Sequence, residues 1–204
     1  MDWSVGKMKH MIITIGCEYG SGGPEIGKMI ADTLGIEYYD RDLVDKVVEQ
    51  IGVERDLVVK ADTENNVMYR FETKLGPRYA NLTNRVIYNQ FEVIRKLANK
   101  KSCVMIGRCS DYILQDRDDC LNIFIYAPEE VRLKAVMEKE NLSKKQALEV
   151  LKYNDEMLHS RYKYITGTYR GDRKNRDMMI DSSVLGWEAT AKYILELIEL
   201  RFAE

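Results

Sequence analysis

A parallel α/β sheet covered by helices on both faces is the fold this sequence predicts. Three observations predict it. Short apolar runs of buried-strand type recur along the chain, stretches of helical period separate them, and the first run leads straight into a glycine-rich turn. At 204 residues the chain can bury a substantial core, and a single domain over 1–204 is expected.

Composition narrows the classes. Acidic and basic residues nearly balance, for a formal charge of −2, which argues against a global polyelectrolyte partner. Cys17, Cys103, Cys109 and Cys120 lack C-x-x-C spacing, and His10 and His159 stand far from them. No zinc site is therefore expected, and a reduced, cytoplasmic protein is the better reading. The first ten residues are polar without a signal-type apolar core, and no run approaches membrane-spanning length.

In chain order, Met11–Ile15 is the first strand and Gly20-Ser21-Gly22-Gly23 the turn. Ile26, Met29, Ile30 and Leu34 then recur at helical spacing, and Gly35 closes that helix. Strand, glycine turn and helix make a phosphate cradle, because glycines let backbone N–H groups converge on an anion at the helix's positive end. Pro24 and Glu25 both suit a first helical turn. Against the signature G-x-x-x-x-G-K-[ST], the opening glycine falls on Cys17, the lysine on Gly23 and the hydroxyl near Pro24 and Glu25. Lys28 is no substitute: five residues along a helix displaces it by roughly 7 Å and turns it about 140°. An ordinary strand–helix turn is the alternative.

Ile36–Tyr39 is the next strand candidate, with Asp40, Arg41 and Asp42 at its carboxyl end, where open α/β sheets bind ligands. The same acids would also serve as helix caps. Leu43 to Ile51 is amphipathic, Val53–Ala61 is a weaker helix candidate, and Tyr79–Lys100 is helical again. The span of about 53–100 thus reads either as an acceptor-side helical insertion or as a plain crossover. Arg78 and Arg85 are ligand-facing in the first case and solvated in the second. Ser102–Ile106 is a buried strand, and Gly107-Arg108 stands at its carboxyl end, where an arginine fork can grip a phosphate. Asp111 lies close enough to pair with Arg108 or to position a hydrated metal.

Leu121–Tyr126 is the fourth strand, and Pro128 opens a helix. Ser143 to Gln146 forms a capping box for another, with Ala147, Leu148, Leu151 and Leu158 on its stripe and Asp155 beside it. Residues 161–176 then change character. Six are basic (Arg161, Lys163, Arg170, Arg173, Lys174, Arg176) against one acid, and Gly167 and Gly171 offer hinges. Such a loop suits a lid over a polyphosphate, a solvated loop, or, through Tyr162, Tyr164 and Tyr169, a single-stranded nucleic-acid surface. Asp177–Asp181 is the last strand, and Trp187, Ala191, Ile194, Leu195, Ile198 and Phe202 give the final helix its buried face. Five strands alternating with helices behind a phosphate turn point to a P-loop kinase type of fold.

The runs EYGSGGPEIGK, YYDRDLV, CVMIGRCSDYIL and TGTYRGDRKNRDMMIDSS, spread over almost the whole chain, resemble the cytidylate-kinase-like family. The resemblance implies ATP with Mg²⁺ as donor and a nucleoside monophosphate such as CMP as acceptor. It makes Gly20, Ser21, Gly22 and Gly23 the donor-phosphate loop and Arg108 an acceptor-site arginine. A lid spans about 155–176. Departures from the family pattern are Cys17 and Pro24 at flanking arginine positions, Leu158 three residues after Asp155, and Arg170 and Arg176 in place of an aromatic pair.

Three functions follow as expectations. In a phosphotransferase, Arg108, Asp155, Arg161, Arg170 and Arg173 carry the chemistry, while Asp40, Arg41, Asp42, Arg108 and Asp111 hold the acceptor. A binding module would keep the pocket without efficient transfer. A nucleic-acid binder would use the basic segment, against the balanced overall charge.

Overall fold

The computed structural model describes residues 9–40, 42–52, 56 and 77–203, without the side chains of Asp42, Val44, Val47, Gln50 and Ile51 and of 77–83. Five strands form one fully parallel sheet in the order β2-β3-β1-β4-β5. They are β1 (Ile12–Cys17), β2 (Glu37–Tyr39), β3 (Cys103–Ile106), β4 (Cys120–Tyr126) and β5 (Met178–Asp181). The helices are α1 (Gly23–Leu34), α2 (Asp42–Ile51), α3 (Pro77–Lys100), α4 (Ser110–Ile113), α5 (Glu129–Glu140), α6 (Lys144–Thr166) and α7 (Trp187–Phe202).

Strand β1 is central, pairing β3 from Ile12↔Cys103 to Ile15↔Ile106 and β4 from Ile12↔Cys120 to Cys17↔Ile125. Being covered on both faces, it reads as a continuous apolar run rather than an alternation. Ile13 and Ile15 pack with α1 and α7, through Ile26, Ile30, Leu34, Ile194 and Ile198. Ile12 packs on the other face with Leu43, Val86, Val93 and Ile94 of α2 and α3. Thr14, fully buried among them, donates to Asn122 Oδ1 at 2.6 Å. Helix α3 is therefore part of the core over its second half, while Arg85 is exposed. The expected helix over Val53–Ala61 and the sites at Arg41 and Arg78 lie outside the described residues, Asp56 and the backbone of 78 apart.

Chain order reverses on either side of β1, the crevice where α/β folds place ligands. Helix α1 starts at Gly23 with Gly22 at its N-cap (φ 84°) and ends on left-handed Gly35. Helix α6 opens with the Ser143–Gln146 capping box and runs without a break to Gly167. The expected change from helix to loop at Arg161 thus falls six residues later. Arg161 and Tyr162 continue the buried stripe of Ala147 and Leu151, a continuity that their polar character hid.

Candidate functional site

A cleft of about 750 Å³ opens at the carboxyl ends of β1, β2 and β3. The glycine-turn residues Gly16–Gly20 and Gly22 line it together with Arg108, Arg161, Arg170 and Arg176. Asp40, Asp111, Leu158, Tyr162, Lys139 and Trp187 complete it. Of the expected residues, Gly20, Gly22, Asp40, Arg108, Asp111, Arg161 and Arg170 meet here. Arg173 does not: it sits in an exposed 3₁₀ turn (Arg173–Asn175).

The turn itself is tight. Gly20 and Gly22 adopt positive φ, and a Cβ on Gly22 would fall inside the indole of Trp187. Ser21 is buried, with its hydroxyl directed at the Glu18 and Ile125 carbonyls (2.9 and 3.2 Å) and its own carbonyl accepting from Ser182 Oγ at 2.7 Å. Its side chain faces the scaffold, not the cleft. The Ser21 N–H donates to Glu18 O at 3.2 Å, and Pro24 has no N–H to offer.

Gly23 stands where the signature carries lysine, and the reason is steric. A Cβ there would lie 2.5 Å from Cys17 Sγ. Cysteine at the signature's first position and glycine at its lysine position are two halves of one packing arrangement. Lys28 is solvated and paired with Asp32 on the far side of α1. Burial pushes the Cys17 thiol pKa up, and the charge of the Arg170 guanidinium acts in the opposite direction.

Asp155 is brought to the turn by α6. Its Oδ1 accepts from the Tyr19 N–H at 3.1 Å and its Oδ2 from Arg132 Nη1 at 2.6 Å. Arg132, which sequence reasoning missed, also donates to the Tyr19 and Ala127 carbonyls, both at 3.0 Å, and meets Glu18 Oε2 at 3.2 Å. The available signal was an arginine four residues before Val136 on the buried stripe of α5. So Asp155 contacts the turn and an arginine rather than standing free in the cleft.

The floor is a second polar network. Asp111 takes Arg176 Nη1 and, at 2.7 Å, the Tyr162 hydroxyl on one oxygen, so its partner is Arg176 and not the expected Arg108. Arg176 also donates to Arg170 O at 3.0 Å and stacks between Phe124 and Tyr162. Among the described residues its buried Nε has no hydrogen-bond partner. Arg161 Nη2 donates to Gln90 Oε1 at 2.6 Å, and Gln90 Nε2 donates to Arg108 O at 3.2 Å. Burial lowers the Arg161 pKa and raises that of Cys109 to about 11. Gly107, Arg108 and Cys109 all have φ near +60°, three left-handed residues that turn the chain sharply at the end of β3.

The model of the cytidylate kinase-like family matches residues 12–184. The chain belongs to that family. A cytidylate kinase of Methanococcus vannielii is 26% identical over 185 residues, covering 90% of this chain and 95% of that protein. An uncharacterised protein from Eubacterium ventriosum has a TM-score of 0.72 at 27% identity, covering 93% of this chain and 98% of its own. Two shikimate kinases share the fold: that of Bacteroides thetaiotaomicron (TM-score 0.55, 13% identity, 94% and 99% covered) and that of Acinetobacter baumannii (0.51, 17%, 95% and 95%), the latter solved with shikimate. The P-loop kinase fold with a five-stranded parallel sheet is thereby established.

The cleft brings glycine-turn backbone and guanidinium groups together, the kinds of group that bind anions. It gives Mg²⁺ no protein cage. Pro24 replaces the hydroxyl, Glu25 pairs with Lys139 at 2.7 Å, and among the described residues no three metal-binding side chains gather. No described helix is long and apolar enough to cross a membrane.

Proposed function

We propose that this chain is a nucleotide kinase, transferring the γ-phosphate of ATP to a nucleoside monophosphate, with CMP the first acceptor to test. The observation that carries the reading is the cleft itself, which a glycine turn and four arginines line together in a member of this family. The donor phosphates would lie on the N–H groups of Gly20, Gly22 and Gly23. Mg²⁺, arriving with the nucleotide, would neutralise charge between the phosphates. Arg108 and Arg161 would hold the acceptor phosphate from the ends of β3 and α6, and Asp40 would orient the acceptor from the end of β2. The segment 167–176, returning from α6 to β5, would act as the lid, and the cytoplasm is the compartment we assign.

A second reading is a binding protein that has lost efficient transfer. The occupied Tyr19 amide, Pro24 and the absent lysine favour it. The nucleic-acid reading loses ground, because Arg161, Arg170 and Arg176 turn into the cleft and leave Lys163, Arg173 and Lys174 as the exposed cations of that segment.

A melting panel with Mg·ATP, ADP and each nucleoside monophosphate tests the proposal, followed by a transfer assay on whatever binds. A ligand at about 100 times its Kd adds roughly 2.7 kcal/mol of stability. Stabilisation by ATP and one monophosphate, with turnover, is expected. Binding without turnover supports the second reading, and no shift with any nucleotide refutes both.

A further inference from the structure

We infer that Arg170 supplies, from the lid, the positive charge that the phosphate turn lacks at Gly23. The geometry assigns it this place in three steps. Cys17 Sγ lies where a side chain at Gly23 would begin, so the turn has no room for a cation of its own. The Arg170 guanidinium lines the same cleft as that sulfur, close enough for its charge to act on the thiol. Its placement is fixed from behind: it lies 5.9 Å from the Phe124 ring centroid, and Phe124 packs directly on Gly16.

The backbone of Arg170 is held as well. Its carbonyl accepts from Arg176 Nη2, and Arg176 is anchored by Asp111 on the cleft floor. The cation is therefore built into the fold, but it arrives from a segment 147 residues beyond Gly23 rather than from the turn (170 minus 23). A planar guanidinium at this point can engage two phosphate oxygens, where a lysine would offer a point charge.

One functional consequence follows. In the usual arrangement the turn carries its lysine whether or not the lid is closed. Here donor-phosphate affinity depends on the 167–176 segment being seated, so nucleotide binding and lid position are one equilibrium. Cys17 is the element that enforces this: it excludes a side chain at Gly23 and shares the cleft with Arg170.

This inference rests on the kinase reading, and the experiment separates the two. Mg·ATP binding is measured by calorimetry on wild type, Arg170→Ala, Arg170→Lys, Cys17→Gly/Gly23→Lys, and that double change combined with Arg170→Ala. Arg170→Ala is expected to weaken Mg·ATP about ten- to hundred-fold, the effect of one charge-assisted hydrogen-bonding group. Arg170→Lys should recover part of the loss. Cys17→Gly/Gly23→Lys restores a cation within the turn, so it should rescue at least about tenfold in the Arg170→Ala background. Gly23→Lys alone should not, since Cys17 still fills the space. Circular dichroism on each variant confirms that binding is compared between folded proteins. Unchanged Mg·ATP affinity in Arg170→Ala overturns this inference alone. Failure of the rescue in a folded triple variant does the same, and wild type that binds no Mg·ATP overturns both this inference and the kinase reading.

Discussion

Asp111→Asn is the most informative single change for stability. The substitution keeps shape and removes one charge from a pair whose side chains are only 4% (Asp111) and 1% (Arg176) exposed. Arg176 then remains buried without a counter-charge, and Tyr162 loses a charged acceptor. Breaking such a pair by removing one partner costs about 3–5 kcal/mol, although stacking on Phe124 and Tyr162 favours the lower end here. In a domain of this size that lowers Tm by about 6–20 °C. The assay is urea unfolding of Asp111→Asn, Arg176→Met and the double variant. Each single change should be costly, whereas the double should cost much less than their sum, because neither charge is then left buried alone. Singles within about 1 kcal/mol of wild type, or strict additivity, would refute the reasoning.

Other changes probe the remaining features. Gly22→Val places a branched side chain at φ 84° against Trp187, so Mg·ATP affinity should fall sharply while the sheet core persists, as circular dichroism would report. Trp187 itself lines the cleft above the turn, so in a Trp3→Phe background its emission should change on nucleotide titration, and a flat response would displace the ligand from the turn. Ser143→Ala removes the capping box of α6 and should cost about 1 kcal/mol in chemical unfolding. The buried thiols give a pH prediction. Desolvation raises Cys103 and Cys120 from the ordinary 9.0 to about 12 and Cys109 to about 11. The unfolded chain then releases these protons first, so stability present below pH 9 should fall as pH rises from 9 towards 12. Melting curves in that range should show the decline, and replacing Cys103 and Cys120 by Ala should flatten it.

Much of the architecture was legible from pattern. The five strands fall within a residue or two of their expected bounds, because each is a short apolar run closed by polar or turn residues. First-strand pairing extends two residues further, through Gly16 and Cys17, since the neighbouring β4 continues to Tyr126 and offers partners. The capping box and the Gly35 stop were equally readable, being local chemistry within four residues.

The site was legible only by residue type. Arginine at 108, 161, 170 or 176 announces phosphate chemistry, but not which carboxylate holds which guanidinium. Asp111 and Arg176 are 65 residues apart, one in α4 after β3 and the other just before β5, and only the assembled sheet brings them together. Asp155 reads as a lid acid, and folding places it on the Tyr19 amide, 136 residues away. Arg132 was invisible because a buried arginine is indistinguishable in sequence from a solvated one. What the amino-acid order determined by itself was the class of fold, the glycine turn and the missing lysine. Tertiary structure decided what packs against Gly23 and which charged groups gather in the cleft beside it. The physical reason is range: strands, caps and turns answer to neighbours a few residues away, whereas a buried charge finds its partner only after the sheet has assembled.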